Sequence, residues 1–404
     1  MKHQLLLISA LLLWLAACQP LGSRLTLDNP LGQDRRDAPV RIPLSELTQQ
    51  GMVTGQPWAP YDAEGEIIPY QYDDLDQDGQ PDELFFLVNL AASATQTIAL
   101  KPALNEPAFT PRTHVRLARK TESGLEPQME AERLDTFDNK ATQAVYQFEG
   151  VGWENEQIAF RNYLDLRNGM DIFGKTQQKL LLDSVGLVDD DDYHHMLDWG
   201  LDILKVGSTL GAGGVAFWYQ DSLIRLSSRD ADYRLLFEGP LRSRFELRFR
   251  DVELGDKAID VVHTIDIVAG TYAYDASLRL SDTADVAVVL GLVDLYDLPA
   301  QTLRSNGRQA LYTYGLQSEH QDSLGMALLT EVAAVRGSVD TDTLSGEIPD
   351  TYGLLLSPQA PNYRFVSGWT LSDSTQFGQE AAFEAYLQRE LTLRATPVQW
   401  DWQP

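Results

Sequence analysis

Apolar and polar residues alternate along most of the chain, which is the pattern of β-strands with one buried face. From residue 113 onward, short alternating runs such as "RSRFELRFRDVEL" and "AIDVVHTIDIVAG" recur between Gly, Asp and Pro residues. Few stretches have helical spacing, and no repeat of fixed period is apparent. The pattern predicts a mainly β protein, a large antiparallel β-sandwich with few helices.

Two segments have the apolar spacing of helices, 378–391 ("GQEAAFEAYLQREL") and 193–206 ("YHHMLDWGLDILKV"). The polar segment 18–45 is predicted to be a tether, and 46–110 a small N-terminal β region. Two prolines in "LNEPAFTPR" (104–112) suggest a boundary. The sandwich domain is therefore predicted over 111–404.

The first residues have the features of an export signal. A positively charged start precedes the short apolar run "QLLLISALLLWLAA", and Leu-Ala-Ala-Cys follows at residues 15–18. This pattern predicts a lipoprotein signal peptide over 1–17 with lipidation of Cys18, and an ordinary signal peptide is the alternative. Gln19 favours the outer membrane of a Gram-negative cell. No other stretch reaches the roughly 18 apolar residues that a membrane helix needs.

Net charge excludes one class of partner. The chain carries a formal charge of −27, which argues against nucleic acid because phosphates require clustered Lys and Arg. The glycine-rich "GSTLGAGG" has neither the Lys-Ser/Thr end of a P-loop nor the βαβ surroundings of a dinucleotide site. We therefore expect no nucleotide cofactor.

The segment "DDLDQDGQPDELFF" resembles part of a calcium loop, with Gly79 at the turn. The acidic residues at loop positions 1, 3, 5 and 9 are Asp74, Asp76, Asp78 and Asp82. Position 12 is Phe85 and not the usual glutamate, although Glu83 could replace it. The sequence predicts a structural Ca²⁺ site, and the alternative is a solvated turn between two strands.

A strand over "EQIAFRNYLDLRNGMDIFGK" would separate apolar from polar side chains. The apolar face would carry Ile158, Phe160, Leu164 and Leu166. The other face would carry Ala159, Arg161, Tyr163, Asp165 and Arg167. Arginines can bind a carboxylate and tyrosine can exchange a proton, so this face is a candidate groove. The alternative is a solvent face with cross-strand salt bridges.

The run "RSRFELRFRDVEL" places four arginines on one face of a strand, which would create a local positive field. Arg242 and Arg244 are thus candidates for the wall of a site that binds an anionic ligand, or they pair with acidic residues on adjacent strands. His263, among β-branched residues, is either a hydrogen-bonded core residue or a catalyst.

The block "YHHMLDWGLDILKVGSTLGAGG" is either a capped amphipathic helix or a segment that presents His194, His195 and Lys205 at the mouth of the sandwich. Two adjacent histidines do not point the same way, which weakens a two-histidine zinc site.

This block, together with "IAFRNYLDLRNGMDIFGK" and "DDLDQDGQPDELFF", resembles the bacterial family named domain of unknown function 4861 over nearly the whole mature chain. The resemblance implies a fold similar to the galactose-mutarotase-like supersandwich and an association with polysaccharide utilisation. One fold hosts many chemistries, so the resemblance fixes motif positions and not catalytic roles.

From the resemblance we expect a carbohydrate-active enzyme that acts on acidic, uronic-acid-containing oligosaccharides by β-elimination, as a lyase or a dehydratase. Arg161 or Arg167 would neutralise the uronate, His195 or His194 would be the base and Tyr163 the acid. The alternatives are a sugar epimerase and a non-catalytic binding lipoprotein. In the latter, sugar rings would stack on Trp153, Trp199 and Trp218.

Overall fold

The computed structural model describes residues 23–52, 57–103, 107–187, 192–344, 346, 348–359 and 361–403. The predicted signal peptide and Cys18 lie outside these residues. Among the described residues, no helix is both long and apolar enough to span a membrane.

The N-terminal region consists of short strands and one helix. In chain order they are β1 (Ser23–Asp28), β2 (Arg35–Pro43), α1 (Leu44–Gln49), β3 (Trp58–Tyr61), β4 (Tyr70–Asp73), β5 (Glu83–Leu90) and β6 (Thr95–Pro102). One sheet has the order β2-β5-β4, and the other pairs β1 with β6, β6 with β3, and β1 with the last strand of the chain. The predicted tether is therefore wrong for residues 23–43. Its alternating apolar residues, such as Leu25 and Ile42, are buried in this region's own core.

The following strands begin after the predicted boundary. They are β7 (Thr113–Arg116), β8 (Ala118–Thr121), β9 (Gly124–Pro127), β10 (Glu130–Glu132), β11 (Gly150–Asn155), β12 (Ala159–Tyr163), β13 (Met170–Lys175), β14 (Gly200–Asp202), β15 (Ala212–Tyr219), β16 (Ser222–Arg225), β17 (Asp230–Glu238) and β18 (Arg242–Leu254). Helix α2 (Asn139–Val145) lies between β10 and β11.

The remaining strands complete the sandwich. They are β19 (Lys257–Val268), β20 (Ala273–Leu280), β21 (Ala287–Val293), β22 (Gln301–Ser305), β23 (Arg308–Leu316), β24 (Ser323–Glu331), β25 (Val335–Asp340), β26 (Thr351–Leu356), β27 (Asn362–Trp369) and β28 (Gln399–Trp402). Helices α3 (Ser374–Phe377) and α4 (Glu380–Ala395) lie between β27 and β28. The predicted helix over 378–391 is thus confirmed.

One nine-stranded sheet packs against two five-stranded sheets. The large sheet has the order β10-β17-β18-β19-β20-β27-β24-β23-β22. The smaller sheets have the orders β14-β13-β12-β11-β7 and β16-β15-β21-β26-β25, and a bridge between Met170 and Gly211 links them. The strand pairs are antiparallel, which confirms the predicted fold class.

Aromatic side chains mark the interface between the two layers. The rings of Trp153 and Phe245 lie 5.3 Å apart, and those of Phe160 and Tyr274 lie 4.9 Å apart, between centroids. Trp153 and Phe160 come from the small sheet, and Phe245 and Tyr274 from the large one. Because side chains alternate along a strand, the neighbours of these residues point to the outer faces of the sandwich.

The predicted helix over 193–206 is wrong. The segment forms a single 3₁₀ turn, Asp192–His194, and then strand β14. Gly200 has φ of +129°, and a Cβ there would lie 1.8 Å from the Gly174 carbonyl oxygen. The backbone of β14 thus approaches β13 so closely that only glycine fits, and this contact overrides the helical spacing.

Candidate functional site

A buried arginine forms the centre of the site on the outer face of the small sheet. Arg161 on β12 is fully buried, and one of its Nη atoms donates to both Asp171 on β13 and Asp202 on β14. The Nη2–Asp202 distance is 2.6 Å, and the same nitrogen lies 2.8 Å from the Tyr163 hydroxyl. Three adjacent strands therefore converge on one guanidinium group.

The two carboxylates outnumber their shared cation. Burial, and then the negative charge of Asp171, raise the pKa of Asp202 well above its usual range. Burial also raises the pKa of Tyr163 well above its usual range, so the phenol keeps its proton at neutral pH. Tyr163 donates that proton to Asp171 over 2.8 Å. The folded protein therefore binds a proton on Asp202 more tightly than the unfolded chain does.

His194 connects this buried cluster to solvent. Its Nδ1 lies 3.5 Å from Asp202 Oδ2, and 44% of its side chain is exposed. The ring also packs on Tyr193, with 4.5 Å between centroids. A carboxylate that holds Nδ1 fixes the orientation of an imidazole and leaves Nε2 on the far side of the ring as the reactive nitrogen.

A second arginine borders the site. Arg167 pairs with Asp165 over 2.6 Å and with Glu149 over 3.0 Å, and its side chain is 19% exposed. Its guanidinium lies 4.1 Å from the centroid of the Tyr163 ring, while that of Arg161 lies 4.5 Å away. The tyrosine is therefore held between two cations.

The backbone that supplies Glu149 is strained. Phe148 and Glu149 have φ values of +38° and +64°, a left-handed conformation that is unfavourable for non-glycine residues. The Phe148 carbonyl accepts from Arg161 over 3.3 Å, and the Glu149 carboxylate accepts from Arg167. This turn therefore directs both acceptors toward the two arginines.

Apolar side chains cover the cluster from the outside. Phe148, Phe173, Tyr193 and Trp199 belong to one buried group that also contains residues of the segment 181–185. The cover excludes water from Arg161 and its partners, which strengthens their electrostatic interactions. The arrangement suits acid–base chemistry at the exposed edge, with His194 as the group that reaches solvent.

Comparison with known proteins identifies the family. The family described as a domain of unknown function (DUF4861) matches residues 27–399. The chain belongs to this family. The resemblance found in the sequence motifs is thereby confirmed.

One relative and two solved structures are similar to this chain. Uncharacterized protein P7 of Formosa agariphila is 25% identical over 428 residues, which cover 99% of each chain. An alpha-mannosidase from Enterococcus faecalis V583 has 8% identity and a TM-score of 0.43, over 95% of this chain and 46% of the mannosidase. A glycosyl hydrolase family 38 protein from Enterococcus faecalis has 9% identity and a TM-score of 0.42, over 95% and 48%. The chain spans about half the length of these two proteins.

The structure brings together four of the predicted site residues in this DUF4861 protein: Arg161, Tyr163, Arg167 and His194. Arg161 does not face a solvent groove as predicted, because the strand is buried on both faces. His195 and Lys205 are exposed, and no hydrogen bond ties either of them to the cluster among the described residues.

His263 is a core residue and not part of the site. It is fully buried, and its Nε2 lies 2.9 Å from the Tyr363 hydroxyl. Burial, with a smaller contribution from Arg133, lowers its pKa to about 3. The imidazole is therefore neutral at physiological pH, which corrects its place among the catalytic candidates.

The three candidate stacking tryptophans do not form a surface platform. Trp153 is fully buried in the sandwich core, and Trp199 is 8% exposed in the aromatic cover. Trp218 on β15 is half-buried against a small apolar cluster. The rings of Trp153 and Trp199 are thus not available for stacking on a sugar, and the role of Trp218 stays a prediction.

Arg242 and Arg244 lie elsewhere in the molecule. Both are on β18 of the large sheet and alternate with core residues such as Phe245. Their side chains therefore point to the outer face of the sandwich opposite Arg161. Both donate to Asp266, at 2.8 and 2.9 Å, so the predicted pairing with an adjacent strand is present.

The acidic loop after β4 keeps part of the predicted calcium geometry. Asp74, Asp76 and Asp78 can each offer an oxygen, and these oxygens lie within 4.8 Å of one another. Asp82 instead accepts from the backbone N–H of Leu75 at 2.6 Å. Glu83 pairs with Arg242, so it does not replace the missing glutamate. Three carboxylates therefore fit a hard cation, while Asp82 and Glu83 serve the turn and the neighbouring sheet.

Sequence reasoning missed Asp171, Asp202, Glu149 and Tyr193. Asp171 follows Arg161 across a hairpin, and the pairing of Arg161 with Asp171 in the β12–β13 register places them side by side. Asp202 was assigned to a helix, so its alignment with the other two strands could not be seen. A strand assignment for "GLD" would have revealed it.

Proposed function

We propose that this protein is a lipid-anchored enzyme of the outer membrane that acts on uronic-acid-containing oligosaccharides by β-elimination, as a lyase or a dehydratase. The observation that supports catalysis is the contact of the exposed His194 with the buried Asp202. The carbohydrate class rests on the resemblance of the motifs to a family associated with polysaccharide utilisation.

In the proposed reaction, His194 Nε2 removes the C5 proton of the uronate. The electron pair of that C–H bond forms the C4–C5 double bond, and the C4–O bond breaks. The leaving oxygen takes a proton, and the product is a shortened chain in a lyase or water in a dehydratase. General base catalysis of this kind typically contributes about 10²–10⁴-fold.

The other two tasks fall to Tyr163 and Arg167. Tyr163 is a protonated phenol with 9% residual exposure, and we assign it the proton for the leaving oxygen, to which its hydroxyl would donate in place of Asp171. Arg167 also has acidic partners, Asp165 and Glu149, but it keeps partial access to solvent, so we assign it the neutralisation of the substrate carboxylate in place of the fully buried Arg161. Arg161 is already engaged by Asp171 and Asp202, so we assign it the positioning of Asp202.

The decisive experiment compares His194→Ala with His195→Ala on uronic-acid oligosaccharides. Ultraviolet absorbance of the unsaturated product measures turnover. We expect His194→Ala to lower kcat by about 10²–10⁴-fold with a small change in KM. His195→Ala is the matched control, because it removes the same side chain from the neighbouring position and should retain activity. Wild-type activity in folded His194→Ala would refute the assignment.

A second variant tests the acid. Tyr163→Phe removes one hydroxyl and almost no volume, so a large loss of kcat in a protein with an unchanged Tm identifies a proton donor. A proton exchange at C5 without an unsaturated product would favour the epimerase. Binding without any turnover in the wild type would favour the non-catalytic alternative, which the burial of Trp153 and Trp199 makes less suitable.

A further inference from the structure

A cavity of about 520 Å³ lies between strand β2, the outer face of the large sheet and helix α4. Its volume is in the range of small-molecule sites, roughly 300–1,000 Å³. Eight arginines and five carboxylates line it, an excess of three positive charges. The whole chain carries −27, so this wall is opposite in sign to the rest of the molecule.

Part of this charge holds the two regions of the protein together. Arg242 pairs with Asp73 over 3.2 Å and with Glu83, both in the N-terminal region, and with Asp266 on the large sheet. Asp275 likewise accepts from Arg364 over 2.9 Å and from Arg394 over 2.7 Å. These arginines have acidic partners and would be needed with or without a ligand.

The arginines of β2, which are Arg35, Arg36 and Arg41, have different surroundings from the paired arginines of the large sheet and α4. Within the described part of the chain, Arg36 and Arg41 have no carboxylate within salt-bridge distance. Both residues are exposed to solvent. Arg35 donates to neutral groups, Asn29 Oδ1 at 2.7 Å and the Thr396 carbonyl.

The Arg41 guanidinium lies 5.9 Å from the centroid of the Phe85 ring. Partial removal from water, and then the positive charge of Arg242, lower the pKa of Arg41, while Glu83, Asp266 and Asp275 act in the opposite sense. An anion in the cavity would remove this unfavourable interaction.

We propose that this cavity is a binding site for a small molecule that carries oxyanion groups, the carboxylate or sulfate groups of an acidic sugar. Guanidinium forks bind such groups through paired, charge-assisted hydrogen bonds. Arg36 and Arg41 provide the free cations, and Arg244, which is 19% exposed beside Asp266, extends the wall on the large sheet. The site lies on the outer face opposite His194, so it is separate from the proposed catalytic centre and does not depend on it.

Calorimetry at constant ionic strength tests the proposal. The probes are potassium sulfate, a sulfated disaccharide, a glucuronate-containing disaccharide and a neutral disaccharide. We expect at least one anionic probe to bind with a stoichiometry of one and the neutral disaccharide to bind far more weakly. The two anionic sugars distinguish sulfate from carboxylate as the recognised group.

Variants locate the binding. Arg36→Gln combined with Arg41→Gln should weaken it by about tenfold for each guanidinium removed, with no loss of folding because neither side chain has an acidic partner. Arg229→Gln, at a 78% exposed side chain that pairs with Asp135, is the matched control and should bind like wild type. Arg41→Lys keeps the charge without the fork and should bind several-fold more weakly.

Two results would overturn the proposal. One is the binding of no anionic probe to the wild type, and the other is unchanged affinity in the folded double variant. His194→Ala should retain binding in the cavity, so failure here and failure of the proposed catalysis are distinguishable.

Discussion

Asp202→Asn should make the protein more stable and less active. The substitution replaces one carboxylate oxygen by an amide and keeps the size of a side chain that is 3% exposed. The remaining oxygen can still accept from Arg161. Asp171 then no longer shares its guanidinium partner with a second negative charge, so the like-charge repulsion within the cluster disappears.

The sign of the stability effect follows from the pKa of Asp202, which is raised in the folded protein. The folded state binds this proton more tightly than the unfolded state, where the pKa is about 3.9. The resulting stabilisation is complete below the unfolded pKa and is lost as the pH rises through the folded pKa. At pH values above the unfolded pKa, this titration of Asp202 therefore lowers the free energy of unfolding.

Removal of this titrating group should raise the free energy of unfolding by about 0.5–2 kcal/mol, the usual gain from a single stabilising substitution. For a chain of this length, that gain corresponds to a rise in Tm of roughly 1–3 °C. The same change should lower kcat by about 10²–10⁴-fold, because His194 loses the carboxyl group that lies beside its Nδ1.

Urea denaturation from pH 5 to 9, followed by tryptophan fluorescence, measures the effect. Burial also raises the pKa values of Asp73 and Asp294 to about 6, so only the difference between variant and wild type reports on Asp202. That difference should grow with pH. Asp230→Asn, at a 62% exposed carboxylate, is the control and should stay within about 0.5 kcal/mol of wild type. A variant that is less stable than wild type at every pH, with the same pH dependence, would refute the reasoning.

Three further predictions concern other parts of the chain. Cys18→Ser should move the protein from the membrane to the soluble fraction, and membrane retention of this variant would contradict lipidation. A chelator should lower Tm if the acidic loop binds Ca²⁺, by the equivalent of about 2.7 kcal/mol at 100-fold saturation, and Asp76→Ala should abolish the response; a Tm indifferent to the chelator would indicate a plain turn. Gly200→Ala should lower the free energy of unfolding by more than about 2 kcal/mol. Gly207→Ala is the control, because Gly207 has φ of +55° but open space where a Cβ would lie, so it measures backbone strain without a steric clash. Equal losses of stability in the two variants would disprove the close contact of Gly200 with Gly174.

The fold class could be predicted from the sequence because strand alternation is a local signal. Each run of period 2 identifies its buried face without knowledge of its neighbours. The tether was misassigned because residues 23–43 are polar on average, yet β1 and β2 bury their alternate residues in a core that β28 helps to close. That pairing joins residues 377 positions apart, for example Leu25 with Trp402, and a local pattern contains no information about it.

The site could be predicted only in part. The face with Arg161, Tyr163 and Arg167 was found from its residue types, but its partners come from β13, β14 and the strained turn before β11. Arg161 was expected to bind a substrate carboxylate, because the sequence alone did not show that Asp171 and Asp202 of the protein itself lie beside it. The difference between His194 and His195 also depends on Asp202, and therefore on the tertiary contact that makes Gly200 a strand residue.

Several unfavourable features of the structure lie at one place. A buried ion cluster is rarely the most stable solution, since well-packed apolar residues often do as well or better. Here two carboxylates share one buried guanidinium, and Arg161 Nε is buried without a hydrogen-bond partner among the described residues. Phe148 and Glu149 add left-handed backbone beside it. Such features persist where the surrounding structure holds them for a function. The group that connects them to solvent is His194, so we infer that they serve to fix its orientation and its proton.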